Sequence, residues 1–137
     1  HMVKYPQTLV TRFFGLHKIK YDGEGGSTRR IYFVIMANVF NTTKHINVRY
    51  DLKGSKYGRR TRRKGQDKID SSVALKDLDF DNDKIKIECD PDVKEALTKQ
   101  ISIDTQLFQL LEINDYSLLL GIHDLEGGAE EGKNLLE

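Results

Sequence analysis

Cys89 is the only cysteine in the chain, so no internal disulfide can form and a cysteine-based metal site is not expected. That economy fits a reducing, cytosolic setting. No apolar run approaches bilayer-spanning length and the N-terminus has no secretory pattern, so any membrane contact is expected to be peripheral. His17 and His45 lack partners at ligand spacing, and no metal site of protein ligands is assigned. There is no internal repeat. Net charge is almost absent too, at +1, but the balance hides segregation. Lys53, Lys56, Arg59, Arg60, Arg62, Arg63 and Lys64 share one stretch without an acid, while Asp124, Glu126, Glu130 and Glu131 crowd the other end.

What remains is a single-domain length of 137 residues, 38% hydrophobic and 31% charged, enough to enclose one core. Leu9, Val10, Phe13, Phe14, Leu16 and Ile19 suit a strand from Thr8 to Lys20, with a bulge near Gly15. Tyr21 to Ser27 reads as a turn, because its glycines reach positive φ without strain. Ile31 to Met36 is nearly all apolar and is expected in the middle of a sheet, paired with the first strand as an antiparallel hairpin. Val39 to Thr43 reads as a connector. Ile46, Val48 and Tyr50 alternate as a third strand. Residues 54–75 are polar and basic, and too poor in apolar surface to offset ordering entropy, so a mobile loop is expected. Lys84 to Cys89 alternates as a short exposed strand. Asp90 can cap a helix with Pro91 at its first position, and Val93, Leu97, Ile101, Leu107, Phe108 and Leu111 recur at helical spacing. Tyr116 to Ile122 reads as a buried strand, and the glycines and acids after Leu125 as a frayed tail. The class is α+β, an antiparallel sheet with helices.

Two strings carry the chemistry. Tyr50-Asp51-Leu52-Lys53-Gly54-Ser55 and Asn114-Asp115-Tyr116-Ser117-Leu118-Leu119-Leu120-Gly121-Ile122-His123 each set ionisable residues beside strand-forming ones. With Lys76-Asp77-Leu78-Asp79-Phe80 between them, they resemble the phosphatidylinositol phosphate kinase family, from about Pro6 to Glu131. Asn114 departs from the methionine usual there. The resemblance implies part of a two-lobed fold related to protein kinases, using ATP and Mg2+ in the intact enzyme. It implies transfer of the ATP γ-phosphate to a phosphatidylinositol monophosphate, giving phosphatidylinositol 4,5-bisphosphate. Which monophosphate is the substrate stays open between the two branches of the family.

By the same resemblance Asp115 is the catalytic carboxylate and Lys53 the phosphate-handling cation, against the blander readings of a turn carboxylate and a solvated lysine. Ala37, Asn38 and Val39 are the implied hinge to adenine, with Arg49 reaching nucleotide. Asp51 is expected to orient the loop or pair with a nearby base, and His123 to be a satisfied strand-end histidine. Lys56, Arg59, Arg60, Arg62 and Arg63 are read as a flexible segment that faces an anionic membrane, at roughly 1 kcal/mol per basic residue. Nucleic-acid binding is disfavoured because only Tyr57 interleaves that run. The family's Gly-rich nucleotide loop, its metal-binding aspartate and its lipid-selecting loop have no counterpart in the chain. The chain is therefore read as residues 5–131 of a partial catalytic domain, behind a short leader at 1–4 and ahead of a tail at 132–137, and inactive by itself. A non-catalytic lipid-binding or scaffold module is the alternative. The intact protein is expected on the cytosolic face of membranes, and a homodimer is compatible with the family.

Overall fold

A computed structural model describes residues 1–23, 27–63, 65 and 69–125; parts of the Tyr21–Ser27 turn, Lys64 and the acidic tail from Glu126 lie outside the described residues. The chain divides into two compact units, His1–Asn41 and Thr42–Glu137.

The first unit is an antiparallel hairpin of β1, Phe13–Asp22, and β2, Thr28–Met36. The register shifts between Phe13 and Gly15, where the sequence suggests a bulge, and is regular from Gly15↔Ile35 to Asp22↔Thr28. Among the described residues β2 pairs with β1 alone, so the expectation of a mid-sheet strand is not met, and all nine of its residues are exposed.

The second unit is built on β3, Val48–Leu52, at the centre of a three-stranded sheet. β5, Leu118–Ile122, lies antiparallel to it, and β4, Ala74–Leu75, lies parallel, a departure from an all-antiparallel sheet. Two helices follow β4: α1, Asp77–Asp83, and α2, Pro91–Leu110. Pro91 opens α2 as expected, and the Lys94 N–H donates to the Asp90 carbonyl, but the Asp90 side chain makes no cap. Residues 85–90 form no regular element, so the strand expected at Lys84–Cys89 is absent. Alternation there has no partner strand among the described residues to reward it.

The core of this unit is small and centres on Tyr50, 1% exposed, and Leu75. The Tyr50 ring meets Phe80 of α1 edge-on at 5.1 Å between centroids, and its hydroxyl donates to Asp83 Oδ2 at 2.5 Å. Burial and the Asp83 carboxylate push the Tyr50 hydroxyl pKa well above its ordinary value. Asp79 is fully buried and accepts the backbone N–H groups of Thr61 at 2.7 Å, Arg62 at 3.2 Å and Lys76 at 3.1 Å. Its bond to Lys76, the residue before α1, is the returning half of a capping box.

These contacts give the described part of 54–75 partners that the mobile-loop reading did not expect. The physical reason is long-range: Arg62 donates to Asp83 and Arg59 to Asp77, so the segment is held by the acids of α1 rather than by apolar burial.

Burial pushes the Asp83 carboxyl up, but hydrogen bonds from Arg62 and Tyr50 and the Arg62 charge outweigh it, leaving the pKa below its ordinary 3.8. A carboxyl depressed on folding contributes stability that is full above its unfolded pKa and lost as pH falls through its folded value. Urea midpoints should therefore be insensitive to this group between pH 7 and 5 and should drop below about pH 4, less steeply in Asp83→Asn. An unchanged acid slope in that variant would remove Asp83 from the account.

Candidate phosphoryl-transfer site

Lys53 leaves the end of β3 just as Asp115 approaches the start of β5, because β3 and β5 pair from Val48↔Ile122 to Leu52↔Leu118. The register alone brings the two strings together. The Lys53 ammonium donates to Asp115 Oδ1. The Asp115 side chain is 81% exposed, so the pair stands on an open surface rather than in an enclosed pocket. A cavity of about 290 Å³ elsewhere in the unit, lined by Asn47, Val48, Arg62, Asp70, Ser71 and Leu75 among others, includes neither residue. The hydrogen bond and charge of Lys53 hold the Asp115 carboxyl below its ordinary pKa, so it is ionised at neutral pH.

Behind this pair is a carboxylate to which the sequence reading gave no role of its own. Asp77 Oδ1 accepts the N–H of Lys53 at 3.0 Å and of Gly54 at 2.7 Å, and Oδ2 accepts Arg59 Nε at 2.8 Å. Gly54 has φ +68°, a left-handed conformation that a side chain would strain. Burial pushes the Asp77 carboxyl up, yet Arg59 and the N–H groups around it outweigh burial and hold it low. The Arg59 guanidinium also donates to the Asp51 carbonyl and, at 3.3 Å, to Asp51 Oδ2. Asp51 thus pairs with a nearby base, as its place in the string suggests.

Arg59 and Arg62, expected to face lipid, are instead part-buried and committed to carboxylates of their own unit. Buried guanidiniums need such partners, and the acids of α1 supply them. Lys56, Arg60 and Arg63 are exposed. Arg49, expected at nucleotide, donates to the Ser71 carbonyl and so braces the approach to β4. Ala37, Asn38 and Val39 follow β2 in the other unit. The Ala37 N–H is spent on the Arg12 carbonyl at 2.8 Å, and Asn38 Oδ1 accepts the Phe40 N–H at 3.0 Å. His123 Nδ1 lies 2.7 Å from the His45 carbonyl, a strand-end contact beside β5.

Among the described residues no group of three or more His, Cys, Asp or Glu could hold a metal ion. The carboxylates nearest Lys53 are each bound to a cation already, Asp115 to Lys53 and both Asp51 and Asp77 to Arg59, so this donor set does not fit Mg2+. Among the same residues no helix is long and apolar enough to cross a membrane.

Comparison with known proteins agrees with the two strings. The chain matches the profile of the family described as Phosphatidylinositol-4-phosphate 5-Kinase over residues 1–136. It is 46% identical over 123 residues to a probable phosphatidylinositol phosphate kinase of Dictyostelium discoideum, covering 90% of the chain and 16% of that relative. It is 43% identical to phosphatidylinositol 4-phosphate 5-kinase 8 of Arabidopsis thaliana, covering 90% of the chain and 15% of the relative. Against the phosphatidylinositol 4-phosphate 5-kinase of Plasmodium falciparum the identity is 40%, with 90% and 7% covered. The chain thus spans less than a fifth of the length of these relatives.

Proposed function

The chain belongs to the phosphatidylinositol-4-phosphate 5-kinase family, and on that premise we propose that it supplies the phosphate-handling corner of a lipid kinase. The reaction is transfer of the ATP γ-phosphate to the inositol ring of a phosphatidylinositol monophosphate. The names of the relatives favour the 4-phosphate as substrate and phosphatidylinositol 4,5-bisphosphate as product.

The observation that carries this reading is the Lys53–Asp115 contact at the meeting of β3 and β5. Phosphoryl transfer needs little covalent chemistry from the protein: a cation for the charge on the transferring oxygens and an acceptor that orients the attacking hydroxyl. Lys53 is the cation and Asp115 the acceptor. Exposure of both on an open surface suits a substrate whose headgroup stays on a bilayer. Lys56, Arg60 and Arg63, exposed on the same basic run, are read as the contacts to that anionic bilayer. The chain by itself is expected to be inactive, with ATP and Mg2+ held mainly by parts of the longer protein.

The test is a full-length kinase presented with vesicles containing phosphatidylinositol 3-, 4- or 5-phosphate, wild type beside Lys53→Ala. The expected result is turnover of the 4-phosphate and a fall of roughly a hundred-fold in kcat/KM for the variant. Full activity of Lys53→Ala would remove the lysine from the site, and exclusive use of the 5-phosphate would overturn the substrate.

A further inference from the structure

A phosphate-binding lysine is useful only if its ammonium arrives at a fixed point, and a lysine side chain is the least suited of all to fix itself. Lys53 follows the last residue of β3, with its stem part-exposed. What is held rigidly is its backbone. The N–H groups of Lys53 and Gly54, successive along the chain, both aim at one oxygen, Asp77 Oδ1. Two consecutive N–H groups on one anion form the concavity that elsewhere receives a phosphate.

Here that concavity is occupied by the protein's own carboxylate. Asp77 is 12% exposed, and its second oxygen is engaged by Arg59 Nε, itself 11% exposed. As the first residue of α1, Asp77 is anchored further by the helix, which Phe80 and Asp83 pin to Tyr50. A substrate phosphate would have to displace three donors' partner from a nearly closed site, so the loop's N–H groups do not bind substrate.

From this we infer that Asp77 is a positioning residue: its carboxylate clamps the Lys53–Gly54 backbone and thereby aims the Lys53 ammonium at Asp115 and the transferring phosphate. The inference rests on the proposed role of Lys53. It divides Asp77's two oxygens by duty. Oδ1 serves the backbone clamp, and Oδ2 serves the ion pair with Arg59.

The division gives the test. Asp77→Asn keeps an acceptor oxygen for the two N–H groups and loses the charge. Asp77→Ala loses both. In the full-length kinase, Asp77→Ala should lower kcat about 30-fold with KM for vesicle lipid changed less than about threefold, because an interaction felt mainly in the transition state is lost. Asp77→Asn should recover most of that loss, within about fivefold of wild type. Hydrogen exchange should show the Lys53 and Gly54 amides protected in wild type and Asp77→Asn and unprotected in Asp77→Ala. If Asp77→Ala does not fold, Asp77→Glu takes its place: it keeps the charge but advances the carboxylate by one methylene, and it should fold and lose kcat.

Wild-type kcat in either the alanine or the glutamate variant would overturn the inference, as would an asparagine variant no better than alanine. Lys53→Ala, run in the same assay, separates the two readings. A crippled Lys53→Ala beside a fully active Asp77→Ala sinks the clamp alone. An active Lys53→Ala sinks the role of the lysine and the clamp with it.

Discussion

Asp115→Asn in the full-length kinase should cut kcat by roughly a thousand-fold while leaving sedimentation with anionic vesicles unchanged. Asparagine has nearly the same shape, so the backbone around β5 is undisturbed. It cannot accept a proton, and its neutral amide no longer holds the Lys53 ammonium as a carboxylate does. The depressed pKa of Asp115 refines the assignment. A carboxylate held below its ordinary pKa is a weak base at neutral pH, so in the proposed site Asp115 would orient the hydroxyl and hold Lys53 rather than strip a proton early. Accordingly, the rate should show no acid limb from this group above about pH 4. Retained turnover in Asp115→Asn would take the residue out of the site.

The largest effect on stability is expected at Asp79. Its carboxylate is fully buried and satisfies three backbone N–H groups, two from the basic segment and one from the turn into α1. Asp79→Ala leaves all three part-buried donors without that acceptor, at a cost of about 3 kcal/mol. Asp79→Asn keeps one acceptor oxygen but turns an amide N–H2 toward donors, and should recover only part of the loss. Urea unfolding followed by circular dichroism measures both. A midpoint within error of wild type for Asp79→Ala would mean that these N–H groups find other partners and that the basic segment is not held from α1.

The contrast between Asp79 and its surroundings shows where the amino-acid sequence is legible. Elements whose cause is local are readable from it: the bulge at Gly15, the β1–β2 hairpin, Pro91 at the first position of α2, and β5 from its apolar run, although no residue of β5 is buried as that run suggests. The meeting of Lys53 with Asp115 is accessible only through resemblance, since no periodicity predicts which strands pair. α1 is invisible to local reasoning. Seven residues, four of them aspartate and one asparagine, have poor helix propensity. The helix is held by tertiary contacts instead, through Phe80 on Tyr50 and through Asp77, Asp79 and Asp83 on the segment carrying Arg59 and Arg62. A signal was nonetheless present. An acidic run at 77–83 follows a basic run at 56–64 within reach of it, and such complementary blocks argue for a paired structure rather than a solvated loop. Lys84 to Cys89 errs in the opposite direction, an alternating pattern with no strand beside it among the described residues.

The commitment of Arg59 and Arg62 splits one basic tract into two populations that answer differently to ionic strength. Counter-ions in the surrounding solution reach the exposed Lys56 and Arg60 readily and damp their field within a Debye length, about 8 Å at physiological salt. They reach the part-buried guanidiniums far less well. If this tract meets an anionic bilayer as proposed, salt would loosen that contact without loosening the tract's own shape, so that adhesion and architecture would be separately adjustable within nine residues.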